Sequence, residues 1–167
     1  MEISRRNALL VNIEADTVVS REEIQAGIEK AKEMMADAGI DSDVTYEDLV
    51  SWCESELPLP EITIGDIVVD PLLLIHEMTE IDEMLKMGLE LTKDALGKDP
   101  NRVATARLRA MEKELDVARH FNAVEHIRRR LEDLETRAKD NALTEDVRRG
   151  YSRLRTASKE TLRVLEK

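Results

Sequence analysis

DPLLLIHEMTEIDEMLKMGLELTKDALG, residues 70–97, is followed after Lys98 by DPNRVATARLRAMEKELDVARH, residues 99–120. Each half opens on Asp-Pro, which reads as a helix N-cap and a first helical residue: the carboxylate accepts from unpaired amides, and proline lacks a donor where none is needed. In the first half Leu74, Met78, Ile81, Leu85, Gly88, Thr92 and Ala95 recur at alternating spacings of four and three. That is the pattern of a coiled-coil-like seam, and it predicts one helix from Pro71 to about Leu96. Gly97 closes it, and the second Asp-Pro start follows so soon that the next helix must fold back as an antiparallel neighbour.

Working outward, the segment from Pro100 to about Lys139 reads as helix, roughly 60 Å long if unbroken. Its stripe begins as Leu108, Met111, Leu115 and Ala118, recurs in threes through Phe121, Val124 and Ile127, and resumes at Leu131, Leu134 and Ala138. Repeated threes carry a stripe around the cylinder, so the helix kinks or overwinds near Asn122, or changes partner there. Thr144 caps a last helix with Val147, Tyr151, Leu154, Leu162 and Leu165, and Gly150 is its weak point.

Upstream, Ser20 with Glu23 forms a capping box before Ile24, Ile28, Ala31, Met35 and Ala38, and Gly39 ends that helix. Thr45 with Asp48 starts the next helix, which offers Leu49, Val50, Cys53 and Leu57 for burial and stops at Pro58 and Pro60. EITIGDIVV, residues 61–69, alternates like a short strand or hairpin, or an extended linker. Residues 1–19 read equally as a short helix or as edge strands. The expectation is a mainly α helical bundle: a small N-terminal helical subdomain over 1–57, a linker or short strand over 58–70, and a three-helix antiparallel unit over 71–167.

Composition narrows function by exclusion. Trp52, Phe121, Tyr46 and Tyr151 are the only aromatics, so packing rests on aliphatic side chains, which suit helices. The single cysteine, Cys53, excludes an internal disulfide framework and reads as a buried structural residue in a reducing, cytoplasmic compartment. The ALLV run near the start is too short for a signal peptide, and nothing in the sequence is apolar enough to span a bilayer. The chain is acidic, with formal charge −11, but unevenly so: residues 1–99 carry 24 acidic against 8 basic side chains, and residues 100–167 carry 12 against 17. The halves should attract, within one chain or across a dimer.

Candidate chemistry gathers on the two long helices. In LIHEMTEIDE, His76 and Glu80 lie one turn apart on one face, Glu83 extends the row and Glu77 stands beside it. Imidazole and carboxylates so spaced can hold a divalent metal or relay a proton. Mirrored about the turn near residue 98, His76 falls opposite His120. The candidate set is therefore His76 and Glu80 as acid-base groups, with His76, Glu77, Glu80 and His120 as metal ligands. His126, among Arg128, Arg129 and Arg130, reads as exposed.

Recognised patterns come near and fail. HEMTE departs from the zincin helix because Glu80 stands in place of the second histidine. LLIHEMTE resembles the His-Asp helix of HD-domain phosphohydrolases, but Glu77 replaces the aspartate and no histidine precedes His76. Glu77 and Glu80 resemble half of the acidic motif of MazG-like nucleotide pyrophosphohydrolases, whose second half is missing; Glu112 and Asp116 are one residue too far apart. DSDVTYED resembles a calcium loop, yet Tyr46 replaces its glycine and Trp52 its bidentate glutamate. The arginines of the basic half suit anions, but an acidic chain with few aromatics argues against nucleic-acid binding. The sequence thus points to a self-associating or protein-binding helical module, a homo-oligomer. The competing expectation is a metal-dependent hydrolase of a nucleotide or phosphate ester.

Overall fold

A computed structural model describes residues 19–55 and 63–167. Among them the protein is helical throughout its regular structure: α1 (Arg21–Asp37), α2 (Tyr46–Ser55), α3 (Ile64–Val69), α4 (Pro71–Lys86), α5 (Lys93–Lys98), α6 (Pro100–His120), α7 (Val124–Ala138) and α8 (Glu145–Leu165). No described helix is long and apolar enough to cross a membrane. The alternatives for residues 1–18, and Leu57 with its prolines, lie outside the described residues.

Most helix starts are those read from sequence. The Glu23 amide donates to Ser20 Oγ at 3.1 Å while the Ser20 amide donates to Glu23 Oε2 at 2.7 Å. Thr45 and Asp48 make the same exchange ahead of α2. Asp70 Oδ1 accepts from the amides of Leu72 and Leu73, with Pro71 at the first helical position.

The expected strand or hairpin near 61–69 is corrected: residues 64–69 are helix. Thr63 Oγ1 accepts from the Asp66 amide at 3.2 Å and Asp66 Oδ2 accepts from the Thr63 amide at 2.9 Å, a capping box hidden inside an alternating run. Ile64 and Ile67, one turn apart, are buried. A backbone that can satisfy its first donors locally takes the helix.

The long first rod is also corrected. α4 stops at Lys86 because Gly88 adopts φ +70°, and the Leu89 amide closes on Met84 O at 3.0 Å in a Schellman turn. Leu74, Met78 and Ile81 of the expected seam are buried, whereas Leu85 is 46% exposed. Gly97 lies within α5 rather than ending the rod. The break expected near Asn122 is present: Asn122 holds φ 53°, and the Ala123 amide closes on Ala118 O at 2.8 Å. Residues 100–139 are therefore two helices, and residues 71–167 hold four long helices and the short α5.

As numbers rise along α4 from His76 to Met87, their hydrogen-bonded partners on α6 fall from Glu114 to Arg102, so the two helices run antiparallel. α7 and α8 are antiparallel likewise, with Arg128 meeting Glu166 and Glu135 meeting Arg155. Hydrocarbon forms two clusters. The first joins Ile24, Ile28 and Met35 of α1, Leu49 and Trp52 of α2, α3 and α4, and continues to Val103, Ala106 and Val117 of α6. The second joins Met111, Leu115 and Ala118 of α6 to α7 and α8. Trp52, not among the positions expected to be buried, is fully buried, while Cys53 is half-buried against the first cluster.

Candidate functional site

Between the two clusters lies a knot of charge, and Glu114 is its centre. The Val103, Ala106, Ala110 and Val117 row of α6 is buried, and Glu114 falls in that row with 0% exposure. A carboxylate there must be fully hydrogen-bonded or the helix would not fold around it. Four donors meet it. Arg130 of α7 lays a fork across both oxygens, Nε to Oε1 at 2.7 Å and Nη2 to Oε2 at 3.2 Å. His126 Nε2, also from α7, reaches Oε1, and His76 Nδ1 from α4 lies 2.7 Å from Oε2. Two oxygens offer about four lone-pair positions, so the carboxylate is saturated.

α4 repeats the theme along its inner row. Glu80, 1% exposed, accepts from Arg107 Nε at 2.7 Å and faces His76 Nε2 at 3.5 Å. Glu83 accepts from Lys113 at 2.6 Å and from Arg109 at 3.2 Å. Thus acids from the acidic half of the sequence meet bases from the basic half, and the charge division becomes the α4–α6 contact. Burial opposes charge on Glu114, yet His126, His76 and Arg130 hold its carboxyl far below the usual carboxylate range. Burial likewise opposes charge on Glu80, which His76 and Arg107 nevertheless pull below its ordinary value, and Lys113 and Arg109 do the same for Glu83. His76, desolvated but held by Glu114 and Glu80, is pushed up to about 10.

Three of the sequence-derived candidates come together: one donor atom from each of His76, Glu77 and Glu80 lies within 4.8 Å of the others. Their hydrogen bonds lead elsewhere. Glu77 Oε2 accepts from Trp52 Nε1 of α2 at 3.0 Å, Glu80 is engaged by Arg107, and both His76 nitrogens face carboxylates. His120 does not join them. It is exposed at the last position of α6, its ring edge-on to Phe121 at 4.9 Å. A mirror point near residue 98 requires α4 to run on to the fold-back, but α4 ends early and the pairing of 76 with 114 centres near residue 95. That shift carries His120 past the end of the contact.

His126, expected to be exposed, is 7% exposed and hydrogen-bonded to Glu114. The break at Asn122 turns α7 back along α6 and brings His126 and Arg130, one turn apart, onto the same carboxylate. Glu114, Arg107 and Arg130 were not candidates. The signal was there for Glu114, a lone acid in the apolar row 103, 106, 110, 117; nothing comparable marks Arg107. Elsewhere in the basic half the arginines also meet the chain's own acids: Arg128 meets Glu125 and Glu166, Arg149 meets Glu145, and Arg163 meets Glu160.

No known protein family, curated protein or solved structure matches the chain.

Proposed function

We propose that the chain is a non-enzymatic helical module that works by associating with a second copy of itself. The observation that supports this is the saturation of Glu114 by four donors from its own chain. Among the described residues, the constellation with the residue types for catalysis is spent on joining α4, α6 and α7, which leaves the surface to act. That surface keeps the charge division. Glu22, Glu29 and Glu33 are exposed on α1, and Arg149, Arg153 and Arg163 are exposed on α8. A two-fold pairing that sets each acidic face on the other copy's basic helix satisfies both contacts with one geometry. Val69, Leu85, Phe121 and Val164 are exposed apolar side chains available to such contacts.

Multi-angle light scattering at low micromolar concentration tests this. The expected result is a mass moving toward twice the 19.0 kDa chain at low salt and falling back at high salt, since surface charge contacts are screened. A single-chain mass at every concentration and salt ends the self-association reading.

The competing reading, hydrolysis with a divalent ion at His76, Glu77 and Glu80, draws less support. An ion there would share Glu77 with the Trp52 indole and Glu80 with the Arg107 guanidinium, donors already in place.

A further inference from the structure

The stripe by which α8 faces the bundle has a gap in its hydrocarbon. Val147, Tyr151 and Leu162 are buried, and Ser158 stands in their row where a leucine would continue it. The shorter side chain leaves a cleft of about 300 Å³, its open mouth included, between α8 and α6. Leu115 of α6, Ile127 of α7 and Leu154 of α8 give it an apolar lining, and exposed Glu112, Asp116 and Arg119 stand along its α6 side. That volume lies at the lower end for small-molecule sites.

Three polar groups of the lining are uncommitted. Ser158 is 5% exposed, and among the described residues its hydroxyl has no hydrogen-bond partner. The same holds for the Thr161 hydroxyl, three residues on along the same face of α8, and for the Glu112 carboxylate across the cleft. Asp116 and Arg119, by contrast, answer each other. With two carboxylates against one guanidinium, the lining carries a net negative charge. An enclosed hydroxyl beside an unpaired carboxylate calls for a donor that is positively charged.

We propose that this cleft binds a primary ammonium carried on a short aliphatic stem. An ammonium has three hydrogens to donate, and Glu112, Ser158 and Thr161 each offer it an acceptor. The stem lies on Leu115, Ile127 and Leu154 and takes apolar surface out of water. An anion of the same size would face the charge of Glu112, and a neutral alcohol would lack the charge-assisted bond. Neither Glu114 nor any of its donors lines the cleft, and the inference stands apart from self-association.

Titration of the full chain with n-butylamine at neutral pH, followed by backbone-amide NMR, tests this. Saturable shifts centred on Leu154, Ser158 and Thr161 are expected, with a Kd on the order of 1 mM, about what so small a ligand can supply. Butanol and butyrate should bind at least about tenfold more weakly. Glu112→Gln, a change at an exposed position, should weaken butylamine about tenfold, and Ser158→Leu, which fills the cleft, should abolish its shifts. Capped lysine, acetylated at its α-amine and amidated at its carboxyl, separates two sources of the same chemistry: shifts like those of butylamine assign the cleft to a lysine side chain, and their absence assigns it to a free amine. No saturable shift at about ten times the expected Kd, equal binding of butylamine, butanol and butyrate, or an unaffected Glu112→Gln overturns the proposal. If Ser158→Leu does not fold, Glu112→Gln and the comparison of probes decide.

Discussion

Helix α4 holds two neighbours in two different ways. Leu74, Ile75, Met78 and Ile81, all fully buried, merge with the hydrocarbon of α1, α2 and α3. A turn around the same helix, His76, Glu80 and Glu83 meet Glu114, Arg107, Arg109 and Lys113. Hydrocarbon burial stabilises by roughly 25 cal/mol per Å² in any orientation that excludes water. The ion cluster adds little net energy once desolvation is counted, yet it admits one register and one protonation state. The difference teaches that the N-terminal body is held by volume, while the contact of α4 with the α6–α7 corner adds matched donors and acceptors to its hydrocarbon.

The largest expected effect separates the two. Glu114→Ala strands His76, His126 and Arg130 around an empty centre and should cost about 3–5 kcal/mol by urea unfolding, with a loss that varies with pH. Ile28→Ala, a cavity in the first cluster, should cost about 2–5 kcal/mol, and that loss should be the same at every pH and salt concentration. If the two variants share one pH dependence, the contrast between the faces of α4 is wrong. A Glu114→Ala loss below about 1 kcal/mol would break it outright.

The acid side of the profile sharpens the same point. Glu114, Glu80 and Glu83 all hold folded values below the ordinary 4.5. A lowered carboxyl contributes stability that is present above the unfolded value and lost as pH falls through the folded one. His76, raised from an ordinary 6.5 to about 10, adds a contribution that is lost as pH climbs above 6.5, so the thermal midpoint is expected to be highest between about 4.5 and 6.5 and to fall on both sides. A midpoint that is flat from mild acid to mild alkali would remove the charge knot from any account of stability.

Next in size is Gly150→Ala, which probes the second cluster. A Cβ there would stand 2.3 Å from Leu108 Cδ2 and 3.3 Å from Leu108 Cγ. Overpacking of that kind costs about 1–3 kcal/mol, against about 1 kcal/mol gained by replacing glycine in a helix, so a net loss near 1 kcal/mol is expected. Leu108→Ala in the same chain should relieve the clash, giving a favourable coupling in a double-mutant cycle. Additive losses would mean that α6 and α8 do not meet at this point.

Sequence reading reached furthest where the signal is local. Ser20 with Glu23, Thr45 with Asp48, and Asp70 with Pro71 each complete their hydrogen bonds within four residues, and the structure shows all three. The drift of the apolar stripe near Asn122 was legible for the same reason. At 61–69, alternation and a capping box competed, and Thr63 with Asp66 won because its bonds need no distant partner. The α4 stop was missed because Gly88 fits a small-residue seam as well as it fits a left-handed turn. The knot was half legible: His76, Glu77 and Glu80 share one turn of helix, but Glu114, Arg107, His126 and Arg130 are set by where α6 and α7 fold back. A six-residue error in that register exchanges one partner for another.

His120 is where that error has its smallest consequence and its clearest test. It occupies the last position of α6, exposed, with its ring against an exposed Phe121. A surface side chain outside caps, cores and ion clusters changes stability by about 0.5 kcal/mol or less when truncated. His120→Ala should therefore unfold with the wild type in urea, with the same pH profile, whereas His126→Ala should weaken the fold measurably by opening one side of Glu114. Were the two histidines to exchange these outcomes, α6 and α7 would not turn at Asn122 as described. The pairing of 76 with 114, on which the charge knot and the contrast along α4 rest, would then have to be redrawn.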